Sequence, residues 1–208
     1  MVCNNNLRLL MSDLYKFDLE YINQGVNKLC GIDEVGRGPL AGPVYAVAFL
    51  FNENEINGVN DSKKLNPKKR ELLFQEIEKN NLKYGLGISS VEEIDSMNIL
   101  NATKLAMKRA LSNLKIIPDL VLVDGNFSPD FGIKSIPIVK GDSKSYSISC
   151  ASIVAKVLRD KFMADIDEKF PNYGFKQNKG YGTKFHIESI KKFGPCEIHR
   201  KSFLGKIL

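Results

Sequence analysis

Residues 29–43 of the chain read LCGIDEVGRGPLAGP and place two adjacent carboxylates, Asp33 and Glu34, between an apolar approach and a glycine-rich exit. The β-branched residues beside them predict a strand that carries both acids, and residues 44–51 (VYAVAFLF) predict a second strand after the turn. Acids are depleted in strands, and a buried carboxylate needs a positive partner. A divalent ion such as Mg²⁺ or Mn²⁺, which takes oxygen ligands, is one such partner. The alternative is a salt-bridged pair at the end of a strand.

The glycines that follow the acids predict an open backbone turn. Gly36 and Gly38 bracket Arg37, and Gly42 follows. Glycine accepts positive φ and lets a ligand approach the backbone closely. Exposed N–H groups beside a guanidinium suit a phosphate or a sugar. The turn does not match the dinucleotide-binding pattern G-x-G-x-x-G, because Ala41 stands at the third glycine position. A plain tight turn between two strands is the alternative.

Apolar runs and helix-capping signals predict a single α/β domain over residues 1–208. Strands are predicted at 28–35, 43–51, 82–89, 119–124 and 135–140. Helices are predicted at 67–80, 90–112 and 143–170. This order predicts a mixed central sheet flanked by helices, followed by a helical C-terminal segment. Residues 1–27 form an N-terminal extension in this prediction, and residues 176–208 a basic segment of the same domain.

Two further acids follow predicted strands. Asp124 ends an apolar strand and precedes Gly125, a position where open α/β sheets carry functional groups. An Asp-Gly turn with no further role is the alternative. Asp142 follows the next strand and precedes Ser143, so its alternative role is to cap a helix.

Positive charge is concentrated in the C-terminal segment. The chain has a formal net charge of +6, and residues 176–208 hold eight Lys and Arg against two Glu, an excess equal to that of the whole chain. Aromatic residues such as Tyr181 and Phe185 lie between the lysines, which suits contact with a nucleic-acid backbone. A solvated lysine-rich face is the alternative.

The composition is that of an ordinary globular protein, with 43% hydrophobic and 26% charged residues. No apolar run reaches the roughly 18 residues of a membrane-spanning helix, and the N-terminus does not have the pattern of a signal peptide. The four cysteines show no C-x-x-C spacing: Cys3, Cys30, Cys150 and Cys196. Reduced thiols in a cytoplasmic protein are therefore expected.

Residues 31–44 (GIDEVGRGPLAGPV) closely resemble the opening motif of ribonuclease HII, the prokaryotic type 2 ribonuclease H. Further motifs of that family follow in its order: 61–65 (DSKKL), 123–126 (VDGN), 140–142 (KGD), 151–160 (ASIVAKVLRD), 178–183 (NKGYGT) and 198–203 (IHRKSF). The resemblance covers about residues 28–204 and leaves the N-terminal extension without a match. It implies a ribonuclease H-like fold and an endonuclease that cleaves RNA hybridised to DNA.

The resemblance implies four catalytic metal ligands, Asp33, Glu34, Asp124 and Asp142, with Asp160 as a rival for the fourth. It implies two divalent ions, Mn²⁺ or Mg²⁺, when substrate is bound. One would activate water and the other would stabilise the leaving 3′ oxygen, so that in-line attack leaves 5′-phosphate and 3′-hydroxyl ends. Protein carboxylates supply too few oxygens for two ions, so phosphate and water must complete the shells. Successive side chains of a strand point to opposite faces. The acids at 33 and 34 can therefore share one cluster only if the strand end is loosened or if the glutamate reaches around the rim.

The resemblance also implies how the substrate is recognised. The backbone of Gly36, Arg37 and Gly38 would grip the ribonucleotide, Lys63 would hold a backbone phosphate, and Tyr181 would pack on the sugar at the RNA–DNA junction. The implied partners are RNA/DNA hybrids and DNA duplexes that contain ribonucleotides, met in DNA replication and ribonucleotide excision repair, and the protein is expected to be a monomer. Two alternatives remain: another divalent-metal nuclease of the same superfold, and a non-catalytic nucleic-acid-binding module.

Overall fold

The computed structural model describes residues 11–205, 207 and 208. Residues 1–10 of the predicted N-terminal extension, with Cys3, and Lys206 of the basic segment lie outside the described residues.

The strands form one mixed five-stranded sheet, as predicted. They are β1 (Leu29–Val35), β2 (Val44–Leu50), β3 (Tyr84–Ser89), β4 (Leu120–Asp124) and β5 (Ser135–Ile138). The order across the sheet is β3-β2-β1-β4-β5. The pairs β1–β2 and β2–β3 are antiparallel, whereas β1–β4 and β4–β5 are parallel. β1 is therefore the central strand, and the acids it carries lie in the middle of the sheet.

The described residues form six α-helices, three of which lie close to the helices predicted at 67–80, 90–112 and 143–170. They are α1 (Asp13–Asn23), α2 (Pro67–Lys79), α3 (Val91–Asn113), α4 (Tyr146–Lys169), α5 (Phe175–Asn178) and α6 (Lys184–Phe193), with 3₁₀ turns at Gly141–Ser143, Pro171–Tyr173 and Lys201–Phe203. The side chains of Asn66 and Ser90 cap α2 and α3, and Ser90 forms a capping box with Glu93. The predicted start of α4 at 143 is three residues too early, because Ser145 caps the helix and a 3₁₀ turn precedes it. None of the described helices is long and apolar enough to cross a lipid bilayer.

Helices cover both faces of the sheet. α3 packs on the face that carries Ile32 and Ala46, and α4 packs on the face that carries Val47. Gly31 lets α4 approach β1 closely, because a Cβ at this position would lie 2.4 Å from the backbone nitrogen of Ile148. The central strand is therefore buried on both sides up to the acids at its end.

The sequence did not predict α1, which packs against the beginning of α4. Asp18 is 0% exposed, and its Oδ2 accepts hydrogen bonds from the N–H of Ser147 at 2.7 Å and from the Ser147 hydroxyl at 2.6 Å. The Tyr15 ring packs edge-on against that of Tyr146, with centroids 5.1 Å apart. The second half of the predicted extension thus belongs to the packed core.

Candidate active site

The predicted acids meet where two parallel strands separate. The pairing of β1 with β4 ends at Ile32 and Val123, and the next residue of each strand is an aspartate. A cleft of about 390 Å³ opens at this point. It is lined by Asp33, Glu34, Val35, Ser62, Lys63, Arg70, Asp124, Ser152, Lys156 and Tyr181. β1 stays paired with β2 through Glu34, so the strand itself is not loosened. The separation of β4 from β1 leaves room for both adjacent acids to border one cleft.

Asp33 is the most deeply placed of the acids in the cleft. It is 5% exposed, and its Oδ1 accepts a hydrogen bond from the N–H of Glu34 at 2.7 Å. Burial, followed by the negative charges of Glu34 and Asp124, raises the pKa of Asp33 well above its ordinary value. Burial is the main cause, and repulsion among the neighbouring carboxyls adds to it.

Glu34 has one oxygen that lacks a partner. Its Oε1 accepts from Nη1 of Arg37 at 3.1 Å, whereas its Oε2 is buried and has no hydrogen-bond partner among the described residues. Burial raises the pKa of this carboxyl even though Arg37 lowers it. A buried carboxylate oxygen without a donor is the group that a bound cation would satisfy.

Asp124 and Asp142 are linked across the turn that follows β5. Oδ1 of Asp124 accepts from the N–H of Gly141 at 2.6 Å and from the N–H of Asp142 at 3.4 Å. Burial and then the charge of Asp142 raise the pKa of Asp124. Asp142 is 5% exposed, and its Oδ2 pairs with Nζ of Lys63 at 2.8 Å. This contact raises the pKa of Lys63. Asp142 does not cap α4, since Ser145 does so.

Asp160 lies on α4 outside the group that lines the cleft. Its Oδ1 pairs with Nζ of Lys156 at 2.7 Å, one helical turn away. Lys156 lines the cleft, whereas Asp160 does not. Asp142 is not among the lining residues either and also pairs with a lysine. What distinguishes Asp142 from Asp160 is that its charge raises the pKa of Asp124.

The donor set fits a hard divalent ion, although the protein does not complete its coordination. Among the described residues, no three His, Cys, Asp or Glu side chains are arranged to hold a metal ion by themselves. Carboxylate oxygens are the preferred ligands of Mg²⁺ and Mn²⁺, and one such oxygen here has no donor. Any ion in the cleft would need further oxygens from water or from a ligand.

Tyr181 lines the cleft, and the glycine turn lies next to it. Gly36 has a φ of +96°, which explains why glycine occupies the first position after β1. Tyr181 is 46% exposed, and its Cε1 lies 3.5 Å from the position that a Cβ on Gly38 would take. The Tyr181 carbonyl lies 2.8 Å from Nδ1 of His186, a buried side chain on α6. The ring is therefore exposed beside the turn while its backbone is fixed from behind.

α6 has an outer face of lysine and phenylalanine. Phe185 is 58% exposed and Phe193 49% exposed, and Nζ of Lys192 lies 5.0 Å from the centroid of the Phe193 ring. On the inner side, Nε2 of His186 lies 3.0 Å from Nε2 of His199, and both imidazoles are buried. Neither histidine faces the carboxylates. Whether the outer face binds nucleic acid stays a prediction.

Sequence reasoning missed several side chains that shape the site. Ser152 hydrogen-bonds to Ser62 at 2.8 Å between hydroxyl oxygens and also donates to Asp33, lowering its pKa against the larger effect of burial. Arg159 and Arg200 are fully buried behind the glycine turn. Ser152, Arg159 and Arg200 fall within motifs 151–160 and 198–203, and their place in these motifs was the only sign in the sequence that they belong to the site. Side-chain periodicity gave no reason to choose them.

Comparison with known proteins agrees with this architecture. The family model described as Ribonuclease HII matches residues 30–206. Ribonuclease HII of Caldicellulosiruptor bescii is 54% identical over 202 residues, which cover 96% of this chain and 98% of the relative. The crystal structure of ribonuclease H2 from Pyrococcus horikoshii superposes with a TM-score of 0.70 at 30% identity, covering 86% of this chain and 96% of that chain. Bst-RNase HIII, solved in complex with Mn²⁺, has a TM-score of 0.64 at 19% identity over 82% of this chain and 64% of that chain, which shows likeness of fold alone.

Proposed function

Because this chain belongs to the ribonuclease HII family, we propose that its carboxylate cleft is the centre at which it hydrolyses the RNA strand of RNA/DNA hybrids. The protein is a ribonuclease H, an endonuclease whose substrate is nucleic acid. The observation that supports this cleft above the other cavities is the meeting of three carboxyls with raised pKa at one end of the central strands. Groups with such pKa values cluster at functional sites.

Asp33, Glu34, Asp124 and Asp142 are the residues that would hold divalent metal. When bound, Mn²⁺ or Mg²⁺ supplies an activated water and stabilises charge on the leaving oxygen, and two ions with substrate present are our proposal. The unpaired Oε2 of Glu34 and the mutual repulsion of Asp33 and Asp124 support binding of a cation here. The protein's own part is to fix these oxygens on rigid strand ends, so that the scissile phosphate meets a preorganised group of ligands.

Asp142, rather than Asp160, is the fourth acid in this proposal. The charge of Asp142 contributes to the raised pKa of Asp124, so the two carboxyls act on each other through space. Asp160 instead pairs with Lys156, one turn away on its own helix. Lys63, which is 77% exposed at its side chain, pairs with Asp142 and is close enough to the cleft to contact a phosphate.

We further propose that the chain incises DNA duplexes at embedded ribonucleotides. The backbone of Gly36, Arg37 and Gly38 would contact the ribonucleotide, and Tyr181 would pack on the sugar at the junction. The exposure of the Tyr181 ring beside Gly38 supports this assignment. That the protein acts as a cytoplasmic monomer stays a prediction.

Asparagine substitutions test the acids. Asp33→Asn and Asp124→Asn should abolish cleavage of an RNA/DNA hybrid on a denaturing gel while the hybrid is still bound, because the amide removes a metal ligand and also relieves repulsion with phosphate. Asp142→Asn and Asp160→Asn form a matched pair, and the former should reduce kcat far more. Calorimetry should show that Asp33→Asn and Asp124→Asn weaken Mn²⁺ binding, and that Asp142→Asn weakens it more than Asp160→Asn does.

Three outcomes separate the alternatives. Loss of folding in Asp33→Asn by circular dichroism would favour a structural role for the pair of adjacent acids. Cleavage of an all-DNA duplex at the same rate as a duplex with one ribonucleotide would identify a nuclease of other specificity. Retained cleavage in Asp124→Asn would remove this cleft as the catalytic centre.

A further inference from the structure

Two fully buried arginines lie behind the glycine turn. Arg159 and Arg200 are each 0% exposed, and neither takes part in an ion pair within the described residues. Burial lowers the pKa of both guanidiniums, and the positive charge of Arg159 adds to the effect on Arg200. Burying a cation in this way is unfavourable unless hydrogen bonds compensate. The hydrogen bonds that offset the cost of burying these cations therefore indicate what the two side chains do.

Arg200 binds three backbone carbonyls of the turn. Its Nη1 donates to the carbonyl of Arg37 at 2.9 Å, and its Nη2 donates to that of Gly36 at 2.5 Å. Its Nε and Nη2 both donate to the carbonyl of Gly42, at 2.9 and 2.6 Å. A single planar guanidinium thus joins the beginning of the turn to its end, as only arginine can.

Arg159 holds a different part of the same loop. It donates to the carbonyls of Pro43 at 3.1 Å, Ala41 at 3.2 Å and Lys179 at 3.0 Å. None of these carbonyls belongs to the Gly36–Gly38 turn. The two arginines are equally buried and donate to separate peptide units, although the Arg159 side chain also packs against Gly36. Arg159 is therefore a control for the loss of a buried guanidinium that holds no carbonyl of residues 36–38.

The contacts of Arg200 fix the direction of two N–H groups. In a trans peptide the C=O and the N–H point in opposite directions. The carbonyls of Gly36 and Arg37 share their peptide units with the N–H groups of Arg37 and Gly38. Holding both carbonyls from behind turns both N–H groups to the opposite side. Neither N–H has an acceptor among the hydrogen bonds of the described residues.

The turn lies next to residues that line the cleft. The Arg37 side chain contacts Glu34, and Gly38 lies beside the exposed ring of Tyr181. Two neighbouring N–H donors without acceptors, close to a carboxylate, suit an oxygen of a ligand that enters the cleft.

We propose that Arg200 is a positioning residue for ribonucleotide recognition: by holding the carbonyls of Gly36 and Arg37, it directs the N–H groups of Arg37 and Gly38 at the 2′-hydroxyl of the substrate. This inference rests on the proposed function, since it assumes that a ribonucleotide enters the cleft. Donors fixed before binding are not reoriented when the ligand arrives, so their hydrogen bonds contribute fully to discrimination.

The ratio of two affinities tests this role. Fluorescence anisotropy in EDTA, where the duplex stays intact, would give Kd for a DNA duplex with one ribonucleotide and for the same duplex in all-DNA form. Arg200→Lys keeps the charge but cannot span three carbonyls, and it should reduce the preference for the ribonucleotide about five- to fiftyfold, the size expected for two hydrogen bonds. Affinity for the all-DNA duplex should change less than about twofold. Arg159→Lys should lower the melting temperature but keep the preference.

A measurement on the wild type covers the case in which Arg200→Lys does not fold. By nuclear magnetic resonance, Nε–H of Arg200 should exchange with solvent far more slowly than that of a surface arginine. The N–H groups of Arg37 and Gly38 should shift on adding the ribonucleotide duplex and not the all-DNA duplex.

The outcomes are distinct. A wild type without preference for the ribonucleotide would overturn the proposed function and this role together. A wild type with the preference, and Arg200→Lys with the same preference, would overturn only the positioning role. Equal losses in Arg159→Lys and Arg200→Lys would also overturn it, because general rigidity of the loop would then explain the effect. Rapid exchange of the Arg200 guanidinium would do the same.

Discussion

Replacing Asp18 by Asn should remove a pH dependence from the stability of the protein. Asp18 is fully buried, and burial raises its pKa from 3.8 to about 6 even though Ser147 and its neighbours donate hydrogen bonds to the carboxylate. The folded state therefore holds this proton more tightly than the unfolded chain does. The stability that the group contributes is fully present below about pH 3.8 and is lost as the pH rises through about 6. A pKa difference of this size corresponds to about 3 kcal/mol.

Urea unfolding of the wild type and of Asp18→Asn from pH 4 to pH 7.5 would measure the effect. The difference in free energy of unfolding, wild type minus variant, should fall by about 2 kcal/mol across this range, because part of the contribution is already lost at pH 4. The cleft carboxyls titrate in both proteins, so their contribution cancels. Asp13→Asn on the exposed side of α1 controls for the removal of one charge from this helix. Parallel curves for the wild type and Asp18→Asn would refute the reasoning, because Asp18 would then be equally acidic in the folded and unfolded states.

Two further predictions concern the substrate. Tyr181→Ala should reduce kcat/KM on a duplex with one ribonucleotide roughly ten- to a hundredfold, the scale of an aromatic stacking contact, and should reduce cleavage within a long hybrid less. Phe185→Ala removes a ring of similar exposure on α6 and should affect the two substrates equally. If Tyr181→Ala also affects both substrates equally, Tyr181 has no role in recognising the junction. Neutralising Lys179 and Lys184 together should lower the slope of log Kd against log salt by about one for each phosphate that the protein no longer neutralises. An unchanged slope would mean that these lysines form only a solvated face.

The parts of the fold that the sequence predicted depend on short stretches of chain. The caps at Asn66 and Ser90 are decided within three residues, because the side chain accepts from a backbone N–H in the first turn of its own helix. The strand that carries Asp33 follows from the β-branched residues around it. Even the error at the start of α4 is local: Ser143 and Ser145 are both acceptable caps by composition, and only the 3₁₀ turn before the helix selects the second.

The parts that the sequence could not predict depend on contacts between distant residues. Arg200 lies 164 positions from Gly36, and Asp18 lies 129 positions from Ser147. An arginine in a basic segment is expected at the surface, and nothing in its neighbours shows that the fold buries it. Similarly, the pattern of β1 predicts that its two acids point to opposite faces. Only the end of the ladder with β4 at Ile32 shows why both border one cleft.

The cations around the site are of two kinds, exposed ones that pair with carboxylates and buried ones that hold the backbone. Lys63 and Arg37 pair with carboxylates, but their side chains are 77% and 44% exposed. Their carboxylate partners are buried, so either cation can turn to a phosphate oxygen once a divalent ion takes over the carboxylate. Arg159 and Arg200 are buried and donate their hydrogen bonds to backbone carbonyls, which holds them in place. Because their charge lies behind the turn, it does not neutralise the carboxylates, which stay available to a divalent ion. Moving a guanidinium into the cleft would preserve the net charge of the protein and still weaken metal binding.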